Sequence, residues 1–410
     1  MNILIINNNL YPSGGDWTYI KTIAQIYKQH GHNVYFWGVK RDSNVIKENE
    51  DLFPPSINLH VAKKNIIKCF FSVLRECIYS KKAKINISAF LDRYQIDIVQ
   101  LNTIRLGVTP SIISSIKKRG IPIVWRMIDY YQICPNIVLR HHHKNCLSCV
   151  KGQYYNCVVN NCKDSIISSL FVSMEAYFYK YRDDFDQIDV YSLQNNFTKN
   201  LFLQAGYQSE KLVVQYNPFD CNRITPSFDL GDSVLYFGRL EEEKGVYIIL
   251  LAAIKLPRYK FVIVGVGSSE KALKQYVIDN GINNVEFLGS VWGSDLDVII
   301  KQSRCVVVPS LWQEVSSYVA FQAYANARPV LASDIGGLPE VVIDGYNGLL
   351  FKPGDVEDLV QKIGRMFNNE ELVSMMGKNA LSFVKQRHSI EAYYNDTISL
   401  FKTLINKDNN

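Results

Sequence analysis

No run of the roughly 20 apolar residues needed by a membrane-crossing helix occurs in this chain of 410 residues. The longest apolar stretches, such as Ile248 to Ile254, are far shorter. A signal-peptide core is also missing: Ile3 to Ile6 is too short, and no Lys or Arg precedes it, so a soluble chain in the cytoplasm is expected. The nine cysteines are an odd number and sit mostly in apolar or loop contexts, which suits a reducing compartment better than a disulfide framework. Charge is nearly balanced. The formal net charge of +6 is matched by residues 60 to 85 alone, where Lys63, Lys64, Lys68, Arg75, Lys81, Lys82 and Lys84 face only Glu76. The rest of the molecule is therefore neutral overall, and nucleic acid is not expected as a partner. No short internal repeat is present.

What is present is a globular composition in a chain too long for one hydrophobic core, which predicts two domains of about 200 residues each. The first forty residues read strand, glycine loop, helix, strand: NILII, then NNNLYPSGG, then a helix from Asp16 to His30 closed by Gly31, then NVYFWG. Apolar strands follow at 97–101 and 121–125, separated by a helical segment from Thr109 to Arg119, so a parallel sheet covered on both faces is expected. After a polar stretch around 212–232 a second series begins: Val234 to Phe237 with Gly238, Phe261 to Val264 with Gly265 and Gly267, Val285 to Phe287 with Gly289, and Cys305 to Val308. The expected organisation is an α/β domain over 1–215, a second α/β domain over 222–385, and a C-terminal helix over 386–410 crossing back to the first. Helices are expected over 355–369 and 371–406. Ligands of such sheets bind outside the strand C-termini, here in a shared central cleft.

Two segments carry candidate chemistry. FGRLEEEKG, residues 237 to 245, ends a strand with glycine and offers Arg239 and Lys244 as diphosphate ligands, fixed cations where a leaving nucleoside diphosphate gathers charge. The alternative is a solvated helix start in which Glu241 to Glu243 pair with Lys244. The second segment, residues 309 to 351, contains Glu314, then Gln322 eight residues on, then Ala327-Arg328-Pro329-Val330 and Gly336-Gly337-Leu338-Pro339-Glu340.

This second segment resembles the donor-binding signature of retaining family-4 glycosyltransferases, also called glycosyl transferases group 1. The resemblance extends to Gly14-Gly15 after the first strand and to FTKNLFLQAGYQSEKLVVQYNPFD at 197–220. It implies the GT-B fold: two Rossmann-like domains with parallel sheets facing a central cleft. It further implies that Glu314 contacts the donor sugar and that position 322 contacts the ribose, where Gln322 replaces the usual Glu and still offers hydrogen bonds. Ser316, Ser317 and Tyr318 would open a helix whose free amides point at the phosphates without a metal. Gly15 would lie against the donor phosphates or the acceptor; any helix start uses such glycines as well. The bland alternatives are a helix-start charge for Glu314 and a core-edge polar residue for Gln322.

On the acceptor side RMIDYYQICPN, residues 126 to 136, resembles a family loop that reads His-Asp-Tyr-Trp, with Ile128 in the place of the His. Asp129 then remains as the polar catalytic candidate, or as a residue that holds the loop together. Retaining enzymes of this kind need no enzymic nucleophile, and no paired carboxylates of the glycosidase type are evident. Cys134, Cys146, Cys149, Cys157 and Cys162 cluster around His141 to His143; Cys146, Cys149, Cys157 and Cys162 are read either as a structural zinc site or as free buried thiols, and no catalytic metal is expected. Ile67, Phe71, Leu74 and Ile78 share one helical face flanked by basic residues, which suits a helix on an anionic membrane through 63–84, or an ordinary amphipathic helix packed on its own domain.

The reading these features support is a retaining, metal-independent transferase moving a hexose-type sugar from a UDP- or GDP-sugar co-substrate to a glycan or polyprenyl-linked acceptor in surface polysaccharide assembly. It places the protein in the cytoplasm, peripheral on the inner face of the plasma membrane. The alternatives are a non-catalytic nucleotide-sugar-binding or scaffolding subunit and a GT-B sugar epimerase.

Overall fold

The computed structural model describes residues 1–12, 14–56 and 76–407. Its first sheet is built from β1 (Asn2–Ile6), β2 (Asn33–Trp37), β3 (Ile98–Leu101), β4 (Ile123–Arg126), β7 (Val190–Leu193) and β8 (Leu212–Val214), in the order β2-β1-β3-β4-β7-β8. A short hairpin, β5 (Arg140–His141) and β6 (Lys144–Asn145), stands apart from it. The second sheet has β9 (Ser233–Phe237), β10 (Lys260–Val264), β11 (Val285–Gly289), β12 (Ser303–Val308), β13 (Val330–Ser333) and β14 (Gly348–Phe351), in the order β11-β10-β9-β12-β13-β14. All pairings in both sheets are parallel, with Ile3 opposite Val34 and Ile98, and Val234 opposite Phe261 and Cys305. Parallel strands need helical crossovers that cover both faces, so the central strands β3, β4 and β9 are buried along their whole length and mostly apolar.

The helices used below are α1 (Gly15–Gln29), α2 (Lys81–Arg93), α3 (Ile166–Tyr181), α4 (Asn196–Gln204), α5 (Val246–Lys255), α6 (Glu270–Asp279), α7 (Gly293–Gln302), α8 (Tyr318–Ala325), α9 (Val356–Asn368), α10 (Glu370–Arg387) and α11 (Ile390–Lys407). In α1 the buried residues Tyr19, Ile20, Ile23, Ala24, Ile26 and Tyr27 form the stripe that a 3.6-residue period lays on the sheet, and Gly31 follows with a left-handed φ of 77°. Two expectations are corrected. Thr109 to Arg119 is a 3-10 turn and a helix of only Ile113–Lys117. The helix expected over 371–406 is two helices, broken at His388 and Ser389.

That break is where the chain leaves one sheet system for the other. Tyr393, Ile398 and Phe401 of α11 belong to the core that contains Ile3 to Ile6, while Met376 of α10 packs with the second sheet. The outbound strand of chain runs beside the return. His388 Nδ1 lies 2.8 Å from the Asn217 carbonyl, and Phe219 N donates to the His388 carbonyl at 2.8 Å. His388 is buried against Phe321, ring centroids 3.9 Å apart, and burial lowers its pKa to about 4, so it is neutral near pH 7.

Candidate functional site

The C-terminal ends of β9 and β12 carry a buried polar cluster. Past β9 a 3-10 turn over Glu242–Lys244 closes on Gly245. A Cβ at Gly245 would stand 1.9 Å from the Pro309 carbonyl oxygen, so only glycine lets this turn cross the loop that follows β12. The crossing sets Lys244 Nζ 2.6 Å from Glu314 Oε1, and the Ser310 hydroxyl donates to the same oxygen at 2.6 Å. Trp312 lies 5.0 Å from the ammonium. The Glu314 side chain is only 7% exposed and that of Lys244 21%, so this is a buried charge pair completed by a hydroxyl, the arrangement such a pair needs to persist. Gly336, with φ 61°, passes so close behind that a Cβ would meet Glu314 N and O at 2.7 Å, and Gly337 N donates to the Glu314 carbonyl at 2.7 Å.

The three glutamates of 241–243 pair elsewhere. Glu243 lies 3.7 Å from the largely exposed Arg239, Glu242 takes Arg140 and His143 from the first domain, and Glu241 accepts from Ser268 N. Ser317 caps α8 by accepting from Ala320 N at 3.3 Å. The Ser316 hydroxyl accepts from Asn217 at 3.1 Å. Three buried polar atoms here have no partner: Trp312 Nε1 and Gln313 Oε1 in the loop and the hydroxyl of Tyr318 at the head of α8. Such orphaned groups fit a site that a polar ligand completes. Gln322 stands apart from the Glu314 cluster; its amide donates to Asp297 of α7 at 3.1 Å.

From the other side, Gly15 begins α1 behind Gly14, whose φ is 132°. Asp129 accepts from Tyr131 N at 3.0 Å, the loop-holding role, and burial raises its pKa, opposed by that hydrogen bond and by Arg105. Tyr130 donates from its hydroxyl to the Gln313 carbonyl at 3.1 Å, joining the 126–136 loop directly to the Glu314 loop. Several residues of this interface escaped the sequence reading. Arg126, 1% exposed, donates to Ser192 and to the Gln215 carbonyl at 2.8 Å and to Asn217 at 2.5 Å, and lies 5.0 Å from the Tyr19 ring. Its one sequence signal is an arginine closing the apolar run IVWR, since a buried strand keeps a charge only where partners surround it. Glu340, legible as a motif residue, acts as a cap across the domains: its carboxylate accepts from Asn196 N at 2.9 Å and Phe197 N at 2.7 Å at the start of α4.

At the cleft mouth a cavity of about 300 Å³ is lined by Asn136, Val138, Arg140, His141 to His143, Cys162 and Asp164 from one side and Glu243 and Trp312 from the other. A larger cavity, about 470 Å³, lies away from the cleft among Tyr154, Tyr179, Phe185, Tyr191 and Tyr207. Cys134, Cys146, Cys149, Cys157 and Cys162 line one small cavity beside Arg140, and the eight described cysteines are all free thiols. Among the described residues no three His, Cys, Asp or Glu side chains form a group that could hold a metal ion. Burial pushes the Cys149 thiol up to about 12, whereas a hydrogen bond from Cys162 brings Cys157 down to about 7. Of the basic stretch 63–84, residues 63–75 lie outside the described residues; Lys81 and Lys82 open α2 and are exposed. No helix among the described residues is long and apolar enough to cross a membrane.

Residues 225–383, the part of the chain that holds Arg239, Lys244, Glu314, Gln322 and Glu340, match the family described as glycosyl transferases group 1. An uncharacterized glycosyltransferase of Methanocaldococcus jannaschii is 34% identical over 215 residues, 51% of this chain and 58% of that protein. The O-antigen chain mannosyltransferase C of Escherichia coli is 31% identical over 183 residues, 43% of this chain and 48% of that one. The matched part thus spans about half the length of these curated relatives. Over whole chains, sucrose-phosphate synthase from Thermosynechococcus elongatus superposes with a TM-score of 0.72 at 17% identity, covering 99% of this chain and 100% of that one. Anabaena HepE in complex with UDP-glucose gives 0.67 at 19% identity, covering 98% and 100%. At these identities the likeness shows the fold, and the two parallel-sheet domains are those of GT-B.

Proposed function

We propose that this chain, GT-B in fold and with a glycosyl transferases group 1 domain over 225–383, is a glycosyltransferase taking a hexose-type sugar from a UDP- or GDP-sugar. One observation carries the reading: the buried Glu314, held by Lys244 and Ser310 at the strand ends of the matched domain, beside three unpartnered polar atoms. In this reading Glu314 orients the donor sugar through its hydroxyls. Lys244, released from Glu314 toward the diphosphate, offsets the charge that grows on the leaving group, and Arg239 adds a second cation from the cleft edge. Ser316, Ser317 and Tyr318 at the head of α8 bound the phosphate side, and Gly15 the opposite side. Gln322 would turn from Asp297 to reach the ribose.

Reaction with retention, without an enzymic nucleophile or a metal, follows from the resemblance of 309–351 to the retaining family-4 signature. The mannosyltransferase relative supports a role in surface polysaccharide assembly, and the neighbour carrying UDP-glucose supports a nucleotide-sugar co-substrate. A glycan or polyprenyl-linked acceptor would enter beside Asp129 and the cavity of His141 to His143, the protein being peripheral on the inner face of the plasma membrane. The domain boundaries near 215, 222 and 386 belong to the same proposal.

The test is donor binding and hydrolysis with EDTA present. A uridine or guanosine diphosphate species should raise the melting temperature of the wild type and not of Arg239→Ala. NMR of the released sugar should show the donor's anomeric configuration. Binding without turnover would point to a scaffolding subunit, and an isomerised free sugar to an epimerase.

A further inference from the structure

Helix α3 carries its polarity inside out. At about 100° per residue, Ile166, Tyr177, Leu170, Tyr181, Met174 and Ile167 fall within an arc of about 100°, on a helix about 24 Å long. Five of the six are 45–80% exposed, and Tyr177 is half-buried. The face turned into the domain holds Ser169, Ser173 and Glu175 with Val172 and Tyr179. Those inward polar groups are all partnered. Lys163 N donates to the Ser169 hydroxyl at 3.1 Å, Ser173 donates to the Tyr154 carbonyl at 3.0 Å, and Tyr131 donates to Glu175 at 2.9 Å. The helix is thus firmly seated by its polar side, beside the acceptor-side loop, while its apolar side faces outward. Tyr155 and Val159, both exposed, extend that side, Tyr155 N donating to the Tyr177 hydroxyl at 3.3 Å.

Cations border the arc. Lys180 is exposed on α3 itself and lies against Gly152, next to the exposed Lys151. Across the ring contact of Tyr79 with Phe178, 6.0 Å between centroids, the chain leads into the exposed Lys81 and Lys82 of α2. The one carboxylate of the helix, Glu175, is on the buried side. Asp164 and Asp183 stand just beyond its two ends, Asp164 facing His142 at 3.7 Å.

We infer that the outward face of α3 docks on an anionic lipid bilayer, with Ile166, Ile167, Leu170 and Met174 at the boundary of headgroups and acyl chains. Tyr177 and Tyr181 would sit at headgroup level, and Lys180, Lys151, Lys81 and Lys82 toward the lipid phosphates. A protein partner is the weaker fit, because the arc offers only tyrosine hydroxyls where interfaces carry about one hydrogen bond per 100–200 Å². A second copy is weaker still, since pairing this face with itself would bring the lysine borders together. The inference deepens the reading of a lipid-linked acceptor, and its test reads binding without turnover, so either can fail alone.

The experiment is cosedimentation of the full chain with vesicles of phosphatidylglycerol and phosphatidylcholine at low salt, for wild type and for Ile167→Ser/Leu170→Ser/Met174→Ser. The substituted side chains are exposed, so melting temperature and its increase with nucleoside diphosphate should not change. Vesicle partition should drop on the order of tenfold or more, as three apolar anchors are lost. Should the triple variant fail to melt cooperatively, Ile167→Asn alone serves, with a smaller drop expected. The inference is overturned if the wild type does not sediment with anionic vesicles, or if the folded variant sediments as the wild type does. It is equally overturned if only Lys64→Ala/Lys68→Ala/Arg75→Ala abolishes sedimentation, or if the triple variant merely converts a wild-type dimer to monomers with vesicle binding unchanged.

Discussion

Replacing Lys244 by Met removes the ammonium 2.6 Å from Glu314 Oε1 and leaves that carboxylate, 7% exposed, with the Ser310 hydroxyl as its remaining hydrogen-bond donor. Breaking a fully buried pair from one side costs about 3–5 kcal/mol, because the other charge stays desolvated. Lys244 is a fifth exposed, so water screens part of the loss, and about 2–3 kcal/mol is expected. In domains of this size each kcal/mol moves the melting temperature about 2–4 °C, which makes the expected decrease about 5–10 °C. Donor hydrolysis should fall about a hundredfold, since the lost cation acts where the leaving diphosphate gains charge. The double variant Lys244→Met/Glu314→Gln separates the two effects. With the unpaired charge neutralised, the melting temperature should return to near wild type while hydrolysis stays lost. Calorimetry of the three proteins and a coupled assay for released nucleoside diphosphate give both quantities. Lys244→Met melting within about 1 °C of wild type, with unchanged hydrolysis, would refute the placement of the buried pair at the centre of the site.

Three further outcomes follow from the geometry. Arg126→Met strands the Gln215 carbonyl and the Asn217 amide oxygen inside the first domain and should lower urea stability by about 3 kcal/mol; Arg126→Lys, without the planar fork, should recover only part of it. Glu340→Ala leaves two backbone donors of α4 without their carboxylate, which should cost about 1–2 kcal/mol and increase proteolysis of the 215–232 crossing. His388 has a folded pKa of about 4, below the unfolded value of about 6.5, so the unfolded chain binds the extra proton between those limits. Stability should therefore be full above about pH 6.5 and fall by about 3 kcal/mol as pH drops to about 4. His388→Asn, which keeps a donor for the Asn217 carbonyl, should flatten that slope in urea titrations from pH 4 to 7.

Much of the fold was legible because parallel strands and their covering helices write short periods into the chain. NILII, Val234 to Phe237 and Phe261 to Val264 read as buried strands and lie in β1, β9 and β10, the last two strands starting one residue earlier. A C-terminal helix from 386 was expected, but the helix break at His388 was not itself legible, since the amphipathic pattern runs on through it and no Pro or Gly marks it; the bonds from His388 to the 217–219 crossing occupy that point. In the site, Glu314 and Lys244 were legible as residue types at strand ends, while their direct pairing was not. Arg126 was missed because a single arginine after an apolar run has the same local signature as a strand end at the surface.

The sequence by itself determined the local pieces: which segments alternate strand and helix, where glycines such as Gly245 and Gly336 permit backbone to pass close to backbone, and which residue types stand at the strand C-termini. These depend on periodicities and backbone preferences within a few residues of each position. Only the tertiary structure decided that Lys244 meets Glu314 rather than its glutamate neighbours, that Glu340 caps a helix in the other domain, and that α3 is seated by its serines and Glu175 with its isoleucines outward. Each of these depends on partners distant in sequence. Burial and pairing reward the whole set of contacts at once, and that choice leaves no mark in the local pattern of any one segment.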